Sequence, residues 1–312
     1  MTPPPPPPPA APSEEVHVEV DGRTLTLKNL GKVLYPQTGT TKGEVLDYYA
    51  RIAPVLLPHL ADRAVTRIRW PHGVQDISFF EKNVPAGTPS WVRTVTVPTG
   101  GRRSGRYGQV DNDEITFPVV DDLATLTWLG NLAALELHVH QWRVGRNGRP
   151  RNADRIVVDL DPGEPAGLHE CCQVALLARD VLGEQGLMAK PVLSGSKGLH
   201  LYADLPQRLP SEEASEVAKA LADGLQASHP QLVTSVMAKA KRGGKVFLDW
   251  SQNAGFKTTI APYSLRGRER PTVAAPVTWD EVAEGADDPF GLDQLRFDVV
   301  LERAAEHGDL FA

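Results

Sequence analysis

Hydrophobic positions along this chain switch between a period of two and a helical period, and the switches mark its elements. Val16, Val18 and Val20, then Leu25 and Leu27, alternate with polar residues around Asp21-Gly22, which predicts a β-hairpin. After Thr40 or Thr41, either able to cap a helix, Val45, Leu46, Tyr49, Ile52 and Leu56 recur at helical spacing. A strand-like segment ends at Phe79 and Phe80, and residues 121–140 begin helical and finish in alternation through Leu135, Leu137 and Val139, with His138 facing the other way. Arg155-Ile156-Val157-Val158-Asp159-Leu160-Asp161-Pro162-Gly163 reads as a short buried strand closed by Pro and Gly. A helix over 168–185, a strand leading through 193–202, a helix over 211–228 and a strand over 245–249 follow. Residues 279–301 suggest a helical cap over a sheet.

This order fits an α+β fold, a small antiparallel sheet with helices on one face as in RNA-recognition domains. The 312 residues, 41% hydrophobic and 23% charged, suffice for one large or two small units, here expected as 16–150 and 151–312. Residues 1–15, with proline from Pro3 to Pro9, are expected to be a disordered tail. No apolar run approaches bilayer length and no secretory leader is evident, so a cytoplasmic protein without membrane contact is expected. The cysteines, Cys171 and Cys172, are adjacent and read as buried thiols; a helix would not put them on one face with His169 for metal binding.

Candidate chemistry gathers at the strand ends. Asp159 and Asp161 project from one side of their strand while Val158 and Leu160 pack into the other. Two carboxylates in one small volume repel unless a cation joins them, and Mg²⁺ and Mn²⁺ take oxygen ligands; a solvated strand end would read the same from Asp-x-Asp alone. In Leu193-Ser194-Gly195-Ser196-Lys197-Gly198-Leu199-His200 the glycines allow close backbone approach, Lys197 brings a point charge and the serines bring hydroxyls, a set suited to phosphate. It is not a Walker A loop, because a strand-like stretch follows where a helix is needed. Asp249 ends another apolar strand, and a third carboxylate beside the first two describes nucleotidyl transfer with two metal ions.

Other candidates have two readings each. Arg266 and Arg268 would present two guanidiniums to one side of an extended segment, suiting a triphosphate or simply a solvated edge. Lys32 and Lys42 flank the start of the first helix as exposed lysines. Alternation puts one ring of Phe79-Phe80 in the core and leaves the other free to stack on a base. Arg102, Arg103 and Arg106 lie in a glycine-rich basic loop suited to phosphate, and the arginines from Arg143 to Arg155 read as a loop. Cations concentrated at 102–106, 143–155, 239–245 and 266–270 allow a local basic groove despite a net charge of −6.

Four ordered stretches resemble the polymerase domain of bacterial ligase D, in the archaeo-eukaryotic primase superfamily: Asp159-Leu160-Asp161-Pro162-Gly163, Ser194-Gly195-Ser196-Lys197-Gly198-Leu199-His200, Leu248-Asp249-Trp250-Ser251-Gln252-Asn253 and Tyr263-Ser264-Leu265-Arg266-Gly267-Arg268. Leu30-Gly31-Lys32-Val33-Leu34-Tyr35-Pro36, Ser78-Phe79-Phe80-Glu81-Lys82-Asn83 and Glu136-Leu137-His138 extend it from about residue 25 to the C-terminus. The resemblance implies a primase-like catalytic domain that adds NTP or dNTP to a primer 3′-hydroxyl at breaks or short gaps, in non-homologous end joining and with a preference for ribonucleotides. It implies two Mn²⁺ or Mg²⁺ ions on Asp159, Asp161 and Asp249, and nucleotide contacts from His138, Ser194, Lys197, His200, Gln252, Arg266 and Arg268. It also implies DNA contacts: Lys32 and Lys42 on a downstream 5′-phosphate, and Phe79 and Phe80 at the break; the basic loop with Arg102, Arg103 and Arg106 would add phosphate contacts or reach a second DNA end. Ku and a ligase are implied partners of a monomer at the bacterial nucleoid. A primase or excision-repair gap filler is an alternative, as is a noncatalytic DNA-end scaffold.

Overall fold

The computed structural model describes residues 15–98 and 114–312. The proline run and the basic loop with Arg102, Arg103 and Arg106 lie outside the described residues. Strands β1 (Glu15–Val20) and β2 (Arg23–Lys28) form the expected hairpin across Asp21-Gly22, both at positive φ, the turn that matches strand twist. Short β3 (Val33–Tyr35) and β4 (Thr40–Thr41) lead into helix α1 (Lys42–Leu60), where Thr41 and Glu44 form a reciprocal capping box and Val45, Leu46, Tyr49, Ile52 and Leu56 are all buried. Then come β5 (Val65–Arg69), β6 (Phe79–Glu81), β7 (Thr94–Pro98), β8 (Glu114–Pro118), α2 (Leu123–Asn131) and β9 (Ala134–Val139).

The second half begins with β10 (Trp142–Val144) and the long β11 (Pro150–Pro162). It continues with α3 (Leu168–Glu184), β12 (Ala189–Leu193), β13 (Leu199–Leu209), α4 (Ser211–Ser228), β14 (Val233–Thr234), β15 (Val246–Asp249), β16 (Thr259–Ile260), α5 (Trp279–Asp287) and α6 (Phe297–His307). Its sheet runs β12-β13-β11-β15-β14, with β10 paired to β11. The succession β11-α3-β12-β13-α4-β15 in that spatial order is the βαββαβ arrangement of RNA-recognition folds, so the expected α+β class is what forms. Leu160, Leu199, Leu201 and Leu248 share one core with Cys171, Val174, Ala178, Ala222 and Leu225 of the two helices. The opposite face carries the acids.

A second antiparallel sheet runs β16-β9-β5-β6, so its outermost strand beyond β9 is supplied by residues far along the chain. The arginine-rich stretch expected as a loop is instead the β10-β11 hairpin. Two of its cations turn inward and three stay exposed: Arg143 binds Asp154 at 2.7 Å, and Arg155 is buried with Nε donating to Gln141 at 2.7 Å and its guanidinium 4.9 Å from the Tyr202 ring, while Arg146, Arg149 and Arg151 face solvent. The C-terminal helices do not cap a sheet; α5 packs on α3 and α6 on α1. Both cysteines are buried and free, and His169 Nδ1 pairs with the Gly285 carbonyl. No helix among the described residues is long and apolar enough to cross a membrane.

Candidate active site

Strand register builds the acidic centre. Asp159, on the central strand β11, lies opposite His200 of β13 on one side and Asp249 of β15 on the other. Residues paired across an antiparallel ladder point to the same face, so these three side chains converge, and Asp161, two residues on, joins that face. His200 Nε2 lies 3.2 Å from Asp159 Oδ1. Gln252 donates to Asp249 Oδ2 at 3.0 Å and reaches Asp159 Oδ2 at 3.5 Å. Burial pushes Asp159 towards the neutral form, yet His200, Arg266 and Gln252 hold its pKa below the ordinary value. At Asp161 burial and the neighbouring Asp159 win over Arg242, and its pKa is raised.

Two cations here had no role in the sequence reading. Arg242 places Nη1 3.2 Å from Asp161 Oδ2 while its guanidinium stacks on Phe247 at 3.6 Å, and Lys257 lies 4.0 Å from Asp249 Oδ2 with a hydrogen bond to Ser251. Sequence spacing carries no signal for either contact; Arg242 was legible only as part of a basic turn. As the side chains stand, no three metal-ligating groups among the described residues close on one point. The donor set nevertheless suits a hard divalent ion: all-oxygen carboxylates at neighbouring register positions, with the pKa of Asp161 raised by burial and by the nearby Asp159 and Asp249. Moving Arg242 off Asp161 frees that carboxylate.

A second wall faces these acids from β9. Glu136, with 6% of its side chain exposed, accepts from His138 Nε2 at 2.8 Å and from the Gly267 N–H at 3.0 Å, and forms an ion pair with Arg266 Nη1 at 3.4 Å. Burial opposes its charge, but these donors hold its pKa well below the carboxylate range, while burial lowers the pKa of His138. Arg266 is thus turned inward and Arg268 is exposed, so the two guanidiniums are not a side-by-side solvent pair.

The Ser194–Gly198 turn differs from the expectation in what its glycines do. Gly195 has φ +67°, and a Cβ there would sit 2.5 Å from Arg266 Cγ; a Cβ on Gly198 would sit 2.0 Å from the Leu160 carbonyl oxygen. The glycines admit protein backbone and side chain. Ser194 Oγ accepts from the N–H groups of Ser196 and Gly198 at 3.2 and 3.1 Å. Lys197 is solvent-exposed, paired at 3.0 Å with the equally exposed Glu164, a weak surface pair that a phosphate can replace.

Lys42 is not the exposed lysine expected. It is buried, donating to the Lys28 carbonyl at 2.6 Å and to Asn131 Oδ1 at 2.7 Å, and it lies near Lys32, whose Nζ is 3.4 Å from His72 Nδ1. Phe79 and Phe80 are both exposed, at 45% and 56%, because they sit on β6, the edge of its sheet; neither ring enters the core.

Residues 41–311 match the family model described as LigD, primase-polymerase domain. The chain belongs to the LigD primase-polymerase family. It is 50% identical over 291 residues to the multifunctional non-homologous end joining DNA repair protein LigD of Mycobacterium tuberculosis, covering 92% of this chain and 36% of that protein. It is 33% identical to the bifunctional non-homologous end joining protein LigD of Bacillus subtilis, covering 91% of this chain and 43% of that protein. The chain therefore spans well under half the length of these curated relatives. The solved polymerase domain of M. tuberculosis ligase D in complex with DNA superposes with a TM-score of 0.84 at 49% identity, covering 92% of this chain and 96% of that one. LigD primase-polymerase domains are nucleotidyltransferases, and a domain of this family implies use of a divalent metal and nucleoside triphosphates.

Proposed function

We propose that this chain extends a DNA primer at strand breaks and short gaps during end joining, copying a template with two Mn²⁺ or Mg²⁺ ions and a preference for ribonucleotides. The observation that carries this reading is the register that sets Asp159 across from Asp249, with Asp161 on the same face and the Glu136-His138-Arg266 wall nearby. Asp159, Asp161 and Asp249 would hold the ions, which, when bound, lower the pKa of the primer 3′-hydroxyl and neutralise the leaving pyrophosphate. Arg266 and Lys197 bind the triphosphate, with Ser194 and Arg268 beside them. His138 borders the nucleotide, Gln252 orients Asp249 and Asp159, and His200 keeps Asp159 ionised. Arg242 acts as the counter-ion of Asp161 until a metal replaces it. Lys32 and Lys42 receive the downstream 5′-phosphate, and the exposed Phe79 and Phe80 meet bases at the break. Ku and a ligase are the proposed partners.

Extension of a labelled primer on a gapped duplex, with each metal and each nucleotide supplied separately, tests this. Asp159→Ala should lose extension while keeping DNA-end binding within about twofold, because the DNA contacts lie elsewhere. Extension by D159A would refute the metal assignment. No extension by the wild-type protein, with tight DNA binding, would make it an end-binding scaffold.

A further inference from the structure

Glu136 is a buried acid facing a pocket that must accept a triphosphate, an unfavourable place for a negative charge. Its oxygens are already taken: Oε1 accepts the Gly267 N–H at 3.0 Å, and Oε2 accepts from His138 at 2.8 Å and forms an ion pair with Arg266 Nη1 at 3.4 Å. A carboxylate so occupied offers little to a metal ion, and it is neutralised by the groups it binds. We propose that Glu136 is a positioning residue that fixes His138 and Arg266 in the arrangement that receives the nucleotide, without touching the nucleotide itself. This rests on the polymerase reading above.

Three features support it. Glu136 and His138 stand two apart on β9, on one side of the strand, so the carboxylate holds the Nε2–H of the imidazole and leaves Nδ1 as the unprotonated nitrogen. Arg266 arrives from a segment far along the chain, and Glu136 takes one of its terminal nitrogens while the buried Nε–H has no partner among the described residues. An unmet buried donor on a guanidinium is suited to a phosphate oxygen. Finally, Gly267 approaches Glu136 only because it lacks a Cβ, which would lie 2.2 Å from a ring carbon of Trp70, so the backbone there is shaped around this contact.

The test is Glu136→Gln, which keeps the side-chain shape and removes the charge. KM for the nucleotide, and Kd for a fluorescent nucleotide analogue, should rise about tenfold or more, with a smaller change in kcat, since charge-assisted hydrogen bonds of this kind are worth at least that factor. Binding of 5′-phosphorylated DNA should stay close to wild type, while the thermal midpoint should fall by several degrees, because Arg266 loses a buried charge partner. Nitrogen-15 NMR of His138 should show the Nε2–H tautomer in the wild type and a tautomer mixture in E136Q. In an H138A/R266A background the same change should add less than about twofold, because residues acting as a unit are non-additive. Unchanged KM and Kd in E136Q, or a full additional loss in the double-mutant background, would overturn the proposal. If the wild-type protein extends no primer, the polymerase reading falls instead, and the nucleotide Kd and NMR arms still decide on Glu136. Should E136Q fail to fold, Glu136→Asp, which keeps the charge on a shorter stem, should show the same KM rise in weaker form; wild-type nucleotide affinity in E136D would count against the proposal.

Discussion

Lys42 illustrates how surroundings set what a single residue can bind. Burial first, then the charges of Lys32 and Arg69, bring its pKa from 10.5 down to about 8. Between those values the unfolded chain holds a proton that the folded chain has released, so folding stability should rise with pH over that window. Urea denaturation at steps between pH 7.5 and 10 should show the rise in the wild type and a flatter profile in Lys42→Met. The ammonium must be charged to hold a phosphate, so preference for 5′-phosphate over 5′-hydroxyl ends should fade as pH climbs past about 8. Lys42→Arg, whose guanidinium stays charged, should keep that preference to higher pH, as read by fluorescence anisotropy with the two ends. The burial behind this was not legible in the sequence: by spacing Lys42 looked like any lysine at a helix start, and its partner Asn131 stands 89 residues away. Asp159, Asp161 and Asp249 were easier to read, since strand periodicity alone says which face a carboxylate occupies.

Among elements, periodicity located what packing makes periodic. The β1-β2 hairpin, α1 and α4 lie where the apolar spacing put them, with α4 running Ser211–Ser228. It misread places where one residue type serves two ends. A glycine that admits a ligand and one that admits a neighbouring strand look alike in sequence, so Gly195 and Gly198 were read as making room for a ligand where they make room for Arg266 and the Leu160 carbonyl; likewise the stretch holding Arg143 and Arg155 passed for a loop because their partners, Asp154 and Gln141, gave no periodic signal. Two alanine substitutions separate these glycine roles. Gly198→Ala would drive a Cβ onto the Leu160 carbonyl and push β13 from β11 beside the Asp159-His200 pair, so it should cost more than about 2 kcal/mol and most of the primer extension. Gly224→Ala, in the exposed interior of α4 where a Cβ meets nothing, should add about 0.5–1 kcal/mol in the same denaturation assay.

At the scale of the molecule, the last residues join its parts. Asp309 accepts from Tyr263 at 2.9 Å and pairs with His59 of α1 at 2.7 Å, while Phe311 is buried against His59 and Tyr202 of β13. Burial opposes the charge on Asp309, but His59, the Phe311 N–H and Tyr263 hold its pKa below 3.8. A carboxyl depressed in the folded state stabilises above its unfolded pKa, and the gain is lost as pH falls through the folded value. Asp309→Asn should therefore cost about 1–3 kcal/mol at pH 7 and show a shallower loss of stability below about pH 4, measured by thermal melts. The second sheet reveals a larger dependence that no local pattern hinted at. Thr259 and Ile260 pair with Val139 and His138, and Ser264 receives the Leu137 N–H. As the chain leaves the ribosome, β9 is made more than a hundred residues before the strand that covers it, and its open edge stays available to any extended peptide meanwhile. Ribosome-bound fragments ending before residue 259 should thus be the ones that chaperones hold longest.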